Sequence, residues 1–535
     1  MEKRVSRKFL VIGLVFLFLG ASATLGVTAS FTNGQIPGVI QHTIQAVQKN
    51  VVRQTDLTGN VLISNNAGND YHPRMTTNAH DQTIVVYEQE IDIFSKQVPV
   101  VYSADEGQTW TQAYLFDSID FTSGSGILQY PDIVYNAPND LLFLAMVDPN
   151  ADMYNNEVSF IPGDIATGGD ASWSGMSFTG FVSYTYATAT CTNNFFLALT
   201  TQDGSEQTQA FGLTFFTYPD FAQPVGMHGI SYDGNSLFKS APNAEIEMGT
   251  NANRIFIVAE TGLESGTKIT MKSTVNDEGL LTNGEQQNGM DKYADVEQYP
   301  GEYIADGTDP YVSGSGNKVC VVYVQDQAIK CSYSTCAAGT YEPGFSWQVS
   351  TVDTGASTPA IYIQGNNVYC AYVKSGNLYL KTSQDSGATW GAAQKMNDAE
   401  GTVVAGKGAV DIGASGIVFT DTRNGNDDIY FAPSAAGDVT NVVVSSISGG
   451  MGVSAVLKNT GKAAAENFAW SIKTDGNVFV GKEKSGTATL QPGASTTVKT
   501  GLMLGIGAIT ITVTADTATK TATAKLLLFF VTGLQ

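Results

Sequence analysis

Seven short apolar runs recur along this chain, and they constrain its fold more than any other feature. They are Thr83-IVVYEQE, Leu141-LFLAMVD, Phe195-FLALTTQ, Arg254-IFIVAET, Lys318-VCVVYVQ, Asn367-VYCAYVK and Gly416-IVFTDTR. Their starts lie 58, 54, 59, 64, 49 and 49 residues apart. Four to six consecutive β-branched, aromatic or aliphatic residues suit a strand buried on both faces. A Pro-led strand precedes several runs (His72-Pro73, Tyr130-Pro131, Asp309-Pro310, Thr358-Pro359), and a further strand follows each. In four repeats that strand leads to Trp110, Trp173, Trp347 or Trp390. About four strands per unit, repeated without helical periodicity, predict an all-β chain built as a β-propeller. Seven blades are expected over 55–436, with six as the alternative if the weak third unit is absorbed into its neighbours. The seventh unit stops after Ile429-Tyr-Phe-Ala432, so Gly59 to Ser64 is expected to supply its outer strand and close the ring.

Two stretches share one pattern at matching places in their repeats. Ser103-Ala-Asp105-Glu-Gly107-Gln-Thr-Trp110 and Ser383-Gln-Asp385-Ser-Gly387-Ala-Thr-Trp390 both read S-x-D-x-G-x-T-W. The Asp caps backbone N–H groups, the Gly admits positive φ and the Trp packs back on the sheet. The pattern resembles the Asp-box of sialidases and related BNR-repeat propellers, with decayed copies at Val158–Trp173 and Cys331–Trp347. In that family the boxes are structural, so the resemblance implies a fold and leaves activity open.

The sialidase resemblance also implies three arginines gripping a substrate carboxylate, a Tyr–Glu nucleophile and an Asp acid/base. Guanidinium forks match a planar carboxylate better than any other side chain. Beyond residue 29 the chain has only Arg53, Arg74, Arg254 and Arg423. Arg74, Arg254 and Arg423 are therefore the weak catalytic candidates, and every one would have to converge. This scarcity favours non-catalytic recognition of extracellular glycans or surface proteins, with a sialidase-like exo-glycosidase as the alternative.

Other chemistry finds little support. His42, His72, His80 and His228 show no zinc-ligand spacing. Gly401 to Lys407 has P-loop spacing, but Gly408 stands where Mg²⁺ needs a hydroxyl, so a loop is expected. No cofactor is expected. A structural calcium has two candidate places, Asp421 to Asp428 and the acidic turns around Asp291, Asp295 and Asp306, although Ala432 replaces the bidentate Glu of an EF-hand loop. Asn424-Gly425 reads as a hairpin turn. Five cysteines permit a pair among Cys320, Cys331 and Cys336, or five small buried residues.

Residues 1–29 join Lys3, Arg4, Arg7 and Lys8 to an apolar stretch and small residues, the pattern of a secretory signal or an N-terminal anchor. Residues 30–54 are expected to link it to the propeller. Export would place the protein outside the cell or on its surface, touching membrane only through an uncleaved segment. The net charge of -22 excludes nucleic acid as a main partner. From 437 to 535 seven short strands with dozen-residue spacing predict a small β-sandwich. Lys458-Asn-Thr-Gly-Lys462 and Leu490-Gln-Pro-Gly493 resemble the CARDB class of immunoglobulin-like adhesion modules. The apolar C-terminal strand is expected to be core.

Overall fold

A computed structural model describes residues 39–44, 49–53, 59–64, 66–92, 95–117, 127–147, 156–176, 184–191, 195–202, 211–217, 224–230, 246–251, 254–261, 268–275, 302–336, 345–433, 442–459, 465–491, 493–515 and 518–534. Between 39 and 433 these residues form seven antiparallel sheets of four or five strands in chain order. Each apolar run becomes the second strand of its sheet, as in Thr83–Asp92, Lys318–Gln325 and Asn367–Lys374. The weak third unit has its own sheet, built from Tyr184–Cys191, Phe195–Gln202, Phe211–Thr217 and Pro224–Ile230.

The first strands of sheets 1 to 7 are Asp70–Thr77, Gln129–Asn136, Tyr184–Cys191, Ile246–Thr250, Thr308–Ser315, Ser357–Gln364 and Val410–Ile412. Each packs against the first strand of the next sheet, and that of sheet 7 packs against that of sheet 1. The ring is therefore closed around an axis. Val61–Leu62 pairs with Asp428–Pro433 and completes sheet 7, the closure expected from sequence.

Burial on both faces explains the unbroken apolar runs. In sheet 1, Ile84 and Val86 pack with Leu142 and Leu144 of sheet 2. Val85 and Tyr87, pointing oppositely along the same strand, pack with Val418 and Phe431 of sheet 7. Sheet 5 repeats this: Val319 and Val321 meet Phe256 and Val258 of sheet 4, while Cys320 and Val322 meet Val368 and Cys370 of sheet 6. The core is thus a series of interfaces between sheets. Among the described residues no two cysteines form a disulfide, and Cys320, Cys331, Cys336 and Cys370 are buried.

The segment expected as a linker departs from that reading. Lys49–Arg53 adds a fifth strand to sheet 1 and Val39–Ile44 a fifth to sheet 2. Both pair with outermost strands whose unmet backbone groups offer an edge to any extended chain.

Residues 442–534 form a three-stranded and a six-stranded sheet around one core that includes Leu457, Ile472, Ile511 and Leu526. The final strand differs from expectation. It divides at Leu528, where φ is 56°, and Ala524, Leu526 and Val531 face the core. Leu527 and Phe530 pair directly with each other and are exposed on the opposite face.

Candidate functional site

Antiparallel order gives the ring two distinct faces. First-to-second and third-to-fourth connections share one face, which carries the tryptophan turns (the Trp face). First strands begin and second strands end at the other, which carries the prolines (the Pro face).

On the Pro face one device recurs four times. His72, Tyr130, Asp309 and Thr358 each precede a proline and each has φ between 49° and 55°. The strand register shifts at all four positions. These are β-bulges, which bend the strand and re-aim its side chains. Side chains of adjoining sheets hold them: Tyr130 N–H donates to Glu88 Oε1 (2.8 Å) and Asp309 N–H to Glu260 Oε1 (2.7 Å). Gly406 N–H donates to Thr358 Oγ1 (2.9 Å).

The residue after the proline then belongs to the axis in three of the four cases: Arg74, Asp132 and Tyr311. Arg74 pairs with Glu247, carried by sheet 4 across the ring, and both are buried. Its guanidinium lies 5.3 Å from the Tyr311 ring centre. Tyr311 donates its hydroxyl to Asp411 Oδ1 at 2.5 Å. Asp411 also accepts the N–H groups of Met75 and Ile412, both at 2.7 Å. Asp132 accepts from Ala189 N–H (2.7 Å) and Thr188 Oγ1 (3.0 Å). Burial pushes the Asp411 carboxyl above its ordinary range, against the pull of Arg74 and Tyr311. Burial and Asp411 together push the Tyr311 phenol well up.

Nearer the Pro face a second tier crosses the axis. Lys407, in the glycine-flanked loop before sheet 7, bonds Glu260 of sheet 4 at 2.8 Å. Asp309 beside them has a raised pKa, from burial first and Glu260 second. Glu88 is buried, with His72 Nδ1 at 2.5 Å and Lys96 Nζ at 2.8 Å. Burial opposes its ionisation, but His72 and Lys96 prevail and lower its pKa to about 2. The His72 ring lies against that of Tyr130, ring centres 4.4 Å apart and planes tilted by 36°.

Toward the Trp face the axis opens into a cavity of about 230 Å³ bounded by all seven first strands. Asp132, Glu247, Tyr311 and Asp411 line it together with Thr76, Thr77, Thr190, Thr250, Ser313 and Tyr362. The cavity lining carries three carboxyl groups, Asp132, Glu247 and Asp411, with the Arg74 guanidinium paired to one of them. The axis is acidic, which disfavours an anionic ligand.

The three candidate arginines are not brought together. Arg74 alone reaches the axis. Arg254 is buried where its N–H donates to Asn251 Oδ1 (2.8 Å) and its guanidinium lies 5.9 Å from the Phe345 ring centre. Arg423 bonds Asp421 (2.8 Å), Asp398 (2.5 Å) and Asn60 Oδ1 (3.2 Å), tying the closing segment to sheets 6 and 7.

Both S-x-D-x-G-x-T-W stretches form the same turn. Asp105 Oδ1 and Asp385 Oδ1 accept N–H bonds from Thr109 and Thr389, both 2.8 Å. Ser103 Oγ and Ser383 Oγ accept from Gly107 and Gly387 at 2.8 and 2.9 Å. Gly107 and Gly387 have φ of 87° and 98°. Trp110 is fully buried and donates to Gly107 C=O (3.1 Å), whereas half-buried Trp390 donates to Ser350 Oγ (2.9 Å). Among the described residues no three His, Cys, Asp or Glu side chains form a metal-binding group. The acidic turns at Asp291 and Asp295 lie outside the described residues.

Axial residues other than Arg74 were not singled out from sequence. For Asp132 and Tyr311 the available signal was position, directly after a strand-opening proline, whereas Glu247 and Asp411 follow Ile246 and Val410.

No family model and no curated protein matches the chain. Among solved structures it is similar to an α-L-arabinanase of Penicillium chrysogenum, at 11% identity, covering 66% of this chain and 98% of that one, TM-score 0.38. It is also similar to the polysaccharide lyase Uly1, at 11% identity, covering 73% and 99%, TM-score 0.39. A prolyl endopeptidase structure is similar at 11% identity, covering 75% and 54%, TM-score 0.37.

Proposed function

We propose that this is an exported, secreted or cell-surface protein whose propeller binds a neutral, hydroxyl-rich ligand, such as a terminal sugar unit, without cleaving it. The carrying observation is how the axial carboxylates are engaged. Asp132 and Asp411 accept backbone N–H groups of adjoining strands, and Glu247 pairs with Arg74. Groups so employed staple sheets together. Around them the cavity presents threonine, serine and tyrosine hydroxyls, the donors and acceptors a sugar would use. Its 230 Å³ falls below the roughly 300–1,000 Å³ of drug-sized sites, so one small unit fits better than a long chain. The C-terminal sandwich would serve as the CARDB-like docking module.

The sialidase-like resemblance enters this reading as fold alone, because its carboxylate clasp would need Arg254 and Arg423 beside Arg74. Titration calorimetry with neutral and sialylated oligosaccharides, together with hydrolysis assays, tests the proposal. Binding of neutral sugars without turnover is expected, weakened in Thr190→Val. Sialoside turnover abolished by Arg74→Met would overturn it.

One observation favours a second reading, an exo-glycosidase acting at the Pro face. Asp309 and Glu260 are adjacent carboxyls, and burial with Glu260 holds Asp309 toward its protonated form, as a general acid requires. Turnover with an alkaline limb that disappears in Asp309→Asn would establish this reading over the first.

A further inference from the structure

Where the closing strand meets sheets 1 and 7, away from the axis, polar side chains crowd together with an uneven account of donors. Asp70 N–H donates to Asp427 C=O (2.7 Å), and Asp427 N–H to Asn69 Oδ1 (3.1 Å), so the two segments lie side by side. The amide donors here are committed. Asn424 Nδ2 and Asn426 Nδ2 each donate to Asp428, at 2.8 and 2.9 Å. Asn66 Nδ2 donates to Glu90 C=O (3.2 Å), and Asn69 Nδ2 to Glu90 Oε2 (3.3 Å). Ser64 Oγ accepts Ile429 N–H (2.9 Å), and the Ser64 and Asn66 side chains both ease the ionisation of Asp70.

Against these stands Asp70, 0% exposed, with neither carboxylate oxygen receiving a hydrogen bond. Asn66 Oδ1 beside it is likewise buried and without a donor. Burial first, and then the acidic neighbours Asp428 and Glu90, push the Asp70 carboxyl up to about 8, against the pull of the Ser64 and Asn66 side chains. A buried carboxylate with no donor and like charges for neighbours is among the costliest arrangements a fold can hold. Three orphan acceptor oxygens facing a second carboxylate ask for positive charge. Donors that are all oxygen, without His or Cys, select a hard cation.

We propose that a divalent cation, calcium in preference to magnesium, binds Asp70 and Asn66 Oδ1 with Asp428 as the second negative charge, fastening the ring's closing segment. The sequence singled out Asp428 as part of a calcium candidate. The structure moves the centre to Asp70 and Asn66, residues from the other end of the propeller.

The test uses the full chain, with calcium content measured by mass spectrometry after gel filtration and unfolding followed in calcium, magnesium and EDTA. One calcium per chain is expected, with EDTA lowering Tm by roughly 3–5 °C and added calcium restoring it. Asn66→Ala, which leaves the carboxylates in place, should raise the calcium concentration needed for half the Tm shift about tenfold. Asp70→Asn should abolish the shift. Two results would overturn the proposal: a chain without calcium whose Tm ignores EDTA and calcium, leaving Asp70 to hold a proton, or a calcium shift unchanged in both variants.

Discussion

Gly107 shows how much one residue can decide here. Its φ of 87° strains any L side chain, and a Cβ would overlap the Phe431 ring of sheet 7. Gly387 has the same conformation, but its Cβ would meet the sulfurs of Cys331 and Cys320 at 3.2 and 3.5 Å. Gly107→Ala should therefore cost about 1–3 kcal/mol by overpacking, beyond the backbone strain both sites share. Gly387→Ala should cost less, and paired thermal unfolding curves check the order. Glu88 offers a pH test. Its folded pKa near 2 lies below its ordinary 4.5, so its contribution is complete above about 4.5 and lost as pH falls through 2. Glu88→Gln should flatten the acid side of the stability profile, measured by denaturant unfolding between pH 5 and 2. Both glycines were legible in sequence because a local turn motif dictates them. The partners of Glu88 were not, since Lys96 and Tyr130 reach it through pairing and sheet packing that leave no periodic trace.

Among elements, the first strands were the least legible and matter most to the site. The second strands announce themselves because both faces are buried, so apolar residues run without interruption. A first strand has one face toward a polar axis, and its composition looks like that of a loop. The cross-ring pair Arg74–Glu247 joins residues 173 positions apart, and nothing local at either end predicts the other. Glu247→Gln should destabilise by about 3–5 kcal/mol, because it removes the charge of the carboxylate bonded to a buried guanidinium. Arg74→Met combined with Glu247→Met should recover most of that loss. A double-mutant cycle by chemical unfolding measures the coupling, and additive losses would show that the pair is not a unit.

The whole molecule hangs on a short join. Arg423, Asn60 and Asp398 bind the closing segment from outside, while Ile63, 0% exposed, fills the interface of sheets 1 and 7 from within. Ile63→Ala should cost about 2–5 kcal/mol, and it should do so by opening sheet 7 rather than unfolding the ring evenly. Hydrogen exchange that rises first along Asp428–Pro433 is the expected signature. The ring as a whole was readable from the repeat, because seven copies of one pattern reinforce each other. The cavity on its axis was not, since it belongs to no single copy.

That join also sets a schedule. Val61 and Leu62 find their partners only when residues 430 and 431 exist, some 370 residues later. At about 5–20 residues per second of synthesis, the first segment waits roughly 20–70 seconds. Until then the second strand of sheet 1, buried on both sides in the finished ring, has only one neighbouring sheet. Sheet 1 spends that interval with Val85, Tyr87 and Trp110 uncovered, awaiting Val418 and Phe431. The vulnerable form of this protein is thus the growing chain, and its aggregation should follow translation speed more closely than the stability of the finished ring.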